Sequence, residues 1–202
     1  VPIDEQVNAL EKLMKKVLIG SYGIANFEPN NLLNWINVCK EKGLKMPSAL
    51  DVHFNLFEQR ALKELFPLLD QYNITAIPYR IFCRGLLVDR YKNSKEFPEK
   101  SRANYSWRVK RYITSEYLSY LNNLKEFANK NNKSLISLIL NWTLSFKTVS
   151  QVCIGTSSIK QLKEIIGNLN DISVEDNLLI GDINKLNLPK NIFDLPETFF
   201  EK

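Results

Sequence analysis

Apolar positions recur along this chain in two alternating rhythms. Val7, Leu10, Leu13, Met14 and Val17 follow a helical spacing, with Pro2, Asp4 and Glu5 suited to a first turn. The short apolar run Leu18-Ile19-Gly20-Ser21-Tyr22-Gly23-Ile24 then predicts a strand, and Asn26 followed by Pro29 predicts a loop and a second helix reaching about Lys42 and stopping at Gly43. The cycle repeats as strand Ala49 to Phe54, helix Glu58 to about Tyr72 and strand Ile74 to Tyr79. A long polar stretch containing Gly85, Pro98 and Arg102 breaks the rhythm and predicts a functional loop or lid over 80–112. Helices Tyr117 to Asn129 and Leu135 to Phe146 follow, then strand Val149 to Ile154 and helix Ser158 to Leu169. Ser173 with Asp176 starts a last helix ending near Leu186, and 187–202 reads as a tail.

Strands alternating with helices at this period imply parallel strands joined by crossovers, an α/β fold. About four parallel strands are expected. A closed (β/α)8 barrel needs eight strands and about 250 residues, so four strands in 202 residues make about half of one. An open sheet of four strands has two unpaired edges and a face meant for a barrel interior. The reading is therefore a single partial domain over 1–202, completed by a missing N-terminal half or by a second copy of the chain. The sequence opens on Val1 rather than Met, which fits a biological start further upstream.

Composition narrows this picture. With 45% hydrophobic and 24% charged residues, the chain has the apolar mass for a core and the surface of a soluble protein. The net charge of +5 comes from interspersed charges of both signs without a basic block, so neither nucleic acid nor a membrane surface is expected as a partner. Cys39, Cys83 and Cys153 are odd in number and far apart, which argues against a disulfide framework or a metal knuckle and suits a reducing cytoplasm. No run of 18 apolar residues and no signal peptide stands out.

Three segments could carry chemistry. In Val152-Cys153-Ile154-Gly155-Thr156-Ser157-Ser158-Ile159-Lys160-Gln161 a strand runs into a helix through Gly and three hydroxyl residues, which suits an anion at the helix N-terminus. The alternative is that Ser158 simply caps the helix, with Gln161 closing a capping box. In Pro78-Tyr79-Arg80-Ile81-Phe82-Cys83-Arg84-Gly85-Leu86-Leu87 an aromatic ends a strand and a basic loop begins, so Tyr79 could stack on a planar ring and Arg84 could meet a phosphate, or both could be ordinary core and surface residues. Strand alternation puts Asp51, His53 and Asn55 on one face. A general-base role for the single histidine lacks a nucleophile placed by spacing, and a hydrogen-bonded structural histidine is the better reading.

Taken in order, Tyr22-Gly23-Ile24-Ala25-Asn26-Phe27, Leu50-Asp51-Val52-His53-Phe54-Asn55-Leu56, Pro78-Tyr79 with Arg84-Gly85-Leu86-Leu87, and Ile154-Gly155-Thr156-Ser157-Ser158 with Gln161-Leu162-Lys163-Glu164 make the chain resemble the aldo-keto reductases over about its first 190 residues. The resemblance implies the C-terminal half of a (β/α)8 barrel, NADPH or NADH as cofactor and a small carbonyl compound as substrate. It implies that Asn26 and Asp51 meet the nicotinamide carboxamide and that Tyr79 stacks on the ring. It further implies that the loop Arg80, Ile81, Phe82 and Arg84, with Arg90 and Arg102, lies along the pyrophosphate, and that Gly155, Ser157, Gln161 and Glu164 hold the adenosine end.

The chain departs from the family pattern at several of these positions. Ala25 stands where the family has Ser, Asp51 where it has Gln, Arg80-Ile81-Phe82 where it has Ser-Pro-Leu, Ser157 where an Arg is frequent, and Ile165 where it has Asn. An ionised Asp51 accepts from an amide and cannot donate. The family's catalytic tyrosine, lysine, aspartate and histidine precede the segment that matches Val1, so no catalytic residue is expected in this chain and the chain alone is expected to be inactive. The expectation is an NAD(P)H-dependent reductase of aldehydes or ketones. The alternatives are an inactive nucleotide-binding or regulatory protein of the same fold, or another phosphate-binding barrel enzyme.

Overall fold

A computed structural model describes residues 1–93, 95–99, 101–171, 182–183 and 186. The expected helix from Ser173 to Leu186 and the tail 187–202 lie outside the continuous part of that range. Strands β1 (Gly23–Ala25), β2 (Ala49–His53) and β3 (Thr75–Tyr79) form a parallel sheet in the order β1-β2-β3. Leu50 is the partner of both Ile24 and Ala76, and His53 is the partner of Tyr79.

The fourth strand expected at Val149 to Ile154 does not form a ladder, which corrects the count from four strands to three among the described residues. The segment instead meets β3 at two isolated parallel bridges, Ala76 with Val149 and Tyr79 with Cys153. Three steps along β3 separate the bridges against four along the partner, so one residue bulges out. The cause is local. Ala76 N–H donates to the Thr148 carbonyl and the Pro78 carbonyl accepts from Cys153 N–H, but Pro78 has no N–H for the bond that would join the two.

The helices are α1 (Ile3–Lys15), α2 (Pro29–Glu41), α3 (Leu65–Gln71), α4 (Arg102–Tyr105), α5 (Trp107–Lys110), α6 (Ser115–Lys130), α7 (Leu135–Leu144) and α8 (Ile159–Gly167). Pro29 occupies the first turn of α2 as its sequence position predicts. Thr114, Ser134 and Ser158 cap α6, α7 and α8, each accepting a backbone N–H three residues on. The helix expected from Glu58 instead makes one tight turn at Arg60–Leu62 and starts properly at Leu65. Pro67 explains the delay, because its missing N–H and its ring are tolerated only in a first turn.

Alternation in the strands separates the two faces of the sheet. Ile24, Leu50, Val52 and Ala76 enter one core cluster with Trp35 and Ile36 of α2, Leu69 of α3 and Trp142 of α7. Around β2's exit the rings of Phe54 and Trp142 stack at 5.0 Å, with Phe146 edge-on to both. The opposite face carries Gly23, Ala25, Ala49, Asp51, His53, Thr75, Ile77 and Tyr79, all exposed or half-buried. Gly23 and Ala25 on β1, with Asp51, His53, Thr75 and Tyr79 among the side chains of β2 and β3, thus line an open face.

Segment 80–112 is anchored rather than loosely draped. Its Leu86, Leu87, Tyr91, Ala103, Val109 and Tyr112 are buried in the main core. The Tyr117 hydroxyl of α6 donates to the Leu86 carbonyl at 2.5 Å, pinning the start of the segment to the helix that follows it.

Candidate nucleotide site

The C-terminal ends of the three strands bring together side chains from three separate stretches of sequence. Asn26, immediately after β1, has φ of 59° and its N–H donates to the Asp51 carbonyl. Left-handed backbone suits asparagine better than most residues, and here it accompanies an exposed amide at the sheet edge. The Tyr79 hydroxyl donates to Asn26 Oδ1 at 2.5 Å. Asp51 lies between them on the open face, its carboxylate exposed, in register with Ala25 and Ile77. Asn26, Asp51 and Tyr79, which the sequence nominated together, therefore share one edge.

Tyr79 is held from the side as well. The His53 ring stacks on it with centroids 5.5 Å apart and planes 15° from parallel, and the Arg80 guanidinium lies 5.4 Å from the ring centroid. Burial pushes the Tyr79 hydroxyl above the ordinary phenol range; Arg80 pulls the other way and Asp51 adds to the rise. The hydroxyl is thus a neutral donor at physiological pH. Burial likewise lowers His53 to about 4; Glu58 opposes this, while Arg80, Arg84 and Arg60 favour it. A histidine neutral at pH 7 is a stacking surface, not a charged one.

The strand-alternation expectation for Asn55 is corrected by the structure. Asp51 and His53 do share the open face, but the chain leaves the strand after His53 and turns Asn55 fully inward. The cause is a tight turn in which Asn55 and Glu58 exchange backbone hydrogen bonds and Asn55 Oδ1 accepts from Phe57 N–H at 2.9 Å. The Asn55 Nδ2 is then directed at the Arg80 carbonyl at 3.1 Å and lies 3.4 Å from His53 Nε2. Sequence reading missed this link between β2's exit and β3's exit. Its one signal was the Asn type at a strand end, where an amide side chain often bonds its own turn.

The loop after Tyr79 is conformationally unusual. Arg80, Cys83 and Arg84 have φ of 56°, 46° and 58°, and Gly85 has 95°. Non-glycine residues in the left-handed region cost free energy and cluster at ligand-binding sites. Arg80 Nη1 is buried without a hydrogen-bond partner among the described residues, and an unpaired buried donor calls for an acceptor. Arg84, four residues further on, is half-buried. Ile81 is buried with Leu140 and Ile165 in a small apolar cluster, and Phe82 packs against that cluster and the main core. The Arg90 side chain passes close to Gly85, where an added Cβ would lie 3.8 Å from its Cδ. Arg102 is exposed in the first position of α4. Cys83 is buried and pushed up to about 12 by that burial, which leaves it an unreactive thiol.

At the third segment, Gly155 is exposed with open space around it. Ser158 Oγ accepts from Gln161 N–H at 3.2 Å, while Gln161 Oε1 accepts from Ser157 N–H and Oγ at 3.0 and 2.9 Å. The capping box foreseen at Ser158 exists, with its return bond landing one residue earlier, on Ser157. Glu164 is exposed on α8. The Tyr79–Cys153 bridge brings this segment alongside the Asn26–Tyr79 edge.

Parallel strands flanked by helices, with polar side chains gathered at the strands' carboxyl ends, define an α/β protein of the kind that binds ligands along that edge. The chain belongs to the aldo/keto reductase family, whose model matches residues 1–184. Among curated relatives, an aldo-keto reductase of Babesia bovis is 25% identical over 196 residues, covering 92% of this chain and 67% of the relative. L-glyceraldehyde 3-phosphate reductase of Escherichia coli O157:H7 is 25% identical over 198 residues, covering 91% and 56%. Among solved structures, the holo form of an aldo-keto reductase from Bacillus halodurans is similar with a TM-score of 0.65 at 22% identity, covering 96% of this chain and 60% of that one. Glycerol dehydrogenase from Gluconobacter oxydans has a TM-score of 0.63 at 22% identity, covering 87% and 56%. The chain thus spans a little over half to two thirds of the length of these proteins. No described helix is long and apolar enough to cross a membrane.

Proposed function

We propose that this chain supplies the nicotinamide-nucleotide-holding half of a (β/α)8 oxidoreductase that reduces aldehydes or ketones with NADPH or NADH. The observation that carries the reading is the Asn26, Asp51 and Tyr79 group at the carboxyl edge of a parallel sheet. With Oδ1 engaged by Tyr79, Asn26 keeps Nδ2 to donate to a carboxamide oxygen, and Asp51 accepts from the carboxamide NH2. The Tyr79 ring offers the stacking face. Arg80, whose buried Nη1 has no partner among the described residues, and Arg84 suit a pyrophosphate, with Arg90 and Arg102 further along the same 80–112 segment. Gly155, Ser157, Gln161 and Glu164 are assigned to the adenosine end.

When bound, the nicotinamide supplies the hydride. This chain's residues hold and orient it, and the open sheet face becomes barrel interior against strands from an N-terminal half or a second copy. The proton for the developing alkoxide, worth about 10² to 10⁴ in rate, comes on this reading from a tyrosine outside the chain. The experiment is a titration with NADPH and NADH followed by tryptophan fluorescence, paired with a cofactor-oxidation assay on a simple aldehyde. Saturable binding that Asn26→Ala with Tyr79→Leu abolishes, without turnover by this chain alone, is expected. Absence of binding by either nucleotide would overturn the site, and turnover by the chain alone would overturn the division of labour.

A second reading, a nucleotide-binding regulatory protein of the same fold, draws on Ile165. It stands where the resemblance expects an adenine-contacting Asn and is buried against Ile81 and Leu140. Under that reading binding persists and no longer version of the protein oxidises the cofactor.

A further inference from the structure

We propose that Asn55 is the positioning residue of the Tyr79 ring, holding through one buried amide both the histidine stacked on that ring and the carbonyl that follows it in the chain. The amide is 0% exposed and cannot turn freely, because its Oδ1 is already committed to Phe57 N–H and its backbone to Glu58. The two remaining hydrogens are on Nδ2. One meets the Arg80 carbonyl, at the point where the backbone leaves β3 in a left-handed conformation with a long side chain. The other faces His53 Nε2.

An amide NH2 can only donate, so Nε2 must present its lone pair and the His53 proton must sit on Nδ1. A second proton on the ring would set N–H against N–H. Asn55 therefore keeps His53 neutral and fixes the plane of its ring, and that plane is the one parallel to Tyr79. The charged groups around His53 are Glu58, Arg80, Arg84 and Arg60, with Glu58 tied to Arg60 through two side-chain bonds of 2.8 and 2.9 Å. The effect on Tyr79 has two handles, ring and backbone, both running to a buried residue that is not itself among the expected nucleotide contacts. The consequence for nucleotide binding rests on the function proposed above; the link between Asn55, His53 and Tyr79 does not.

The chain contains a single histidine, so one imidazole spin system reports the state of this link. In the unmodified protein, nitrogen-15 shifts should identify Nδ1 as protonated and Nε2 as bare, with no titration between about pH 5.5 and 8. In Asn55→Asp the carboxylate faces the imidazole, and His53 should titrate at least about one pH unit higher. The same variant should weaken NADPH and NADH binding about tenfold while unfolding remains cooperative. A proton on Nε2 in the unmodified protein overturns the proposal without any variant, and decides it if Asn55→Asp fails to fold. An unmoved His53 titration, or a moved one with unchanged nucleotide affinity, also overturns it. If the unmodified protein binds neither nucleotide, the proposed function falls, and the imidazole measurements alone then decide the Asn55 link.

Discussion

Tyr79 and Asn26, 53 residues apart in sequence, are joined by a hydrogen bond of 2.5 Å from the phenol to the amide oxygen. The bond crosses the carboxyl edge of the sheet from β3 to β1, over the Asp51 side of β2. It orients the asparagine so that its donor, not its acceptor, is left for a ligand.

Replacing Tyr79 by Phe keeps the stacking face and removes that orientation. The expected result is weaker binding of reduced nicotinamide nucleotide by about three- to tenfold, the size of one lost hydrogen bond. Tyr79→Leu also removes the aromatic face and should weaken binding further. Fluorescence titration distinguishes the two, and equal affinities for both variants would contradict a stacking role.

His53 makes stability depend on pH. Its folded-state value near 4 lies below the ordinary 6.5, so the unfolded chain binds the proton more tightly. The contribution is fully present above about pH 6.5 and is lost as pH falls toward 4, with an upper bound of about 3 kcal/mol. Urea unfolding of the native protein against His53→Phe should show the native curve losing more stability across that window. Parallel curves would rule this contribution out.

Val17 ends α1 in a left-handed conformation with φ of 58° and is 88% exposed. Its neighbour Leu18 donates to the Leu13 carbonyl and Val17 itself donates to Met14, the hydrogen bonds of a helix stop that glycine usually occupies. A β-branched residue there is strained, so Val17→Gly should stabilise by about 1 kcal/mol and raise Tm by about 2 to 4 °C. A lower Tm in thermal denaturation would show that the strain is absent.

Tyr117→Phe removes the bond to the Leu86 carbonyl inside the core. Leaving that buried acceptor unpaired should cost about 1 to 3 kcal/mol. Hydrogen exchange should rise first in the early part of segment 80–112, because the bond ties that part to α6. Uniform exchange across the molecule would mean that the segment is not pinned there.

The alternation of helices and parallel strands was legible in the chain, because one-sided burial leaves a period that survives in the order of residues. The caps at Ser158 and Pro29 were legible for the same reason, since they act over three or four residues. So were Asn26, Asp51 and Tyr79, through motifs that stand in family order at strand ends. The single family of which the chain is a member could be named from four such motifs, and the match over 1–184 bears that out.

Other features depended on partners that local sequence does not specify. Pro78 broke the fourth strand's ladder through a missing donor toward a neighbour more than 70 residues away. Strand alternation put Asn55 on the open face, and a turn closed by Glu58 took it inside. The sequence by itself determined which residues stand at strand ends, because periodicity and turn chemistry are local. Only the tertiary structure decided that Asn55 holds His53 and Arg80 around Tyr79, and that Tyr79 reaches Asn26, because hydrogen bonds act over about 3 Å and distant segments come that close only once the sheet has formed.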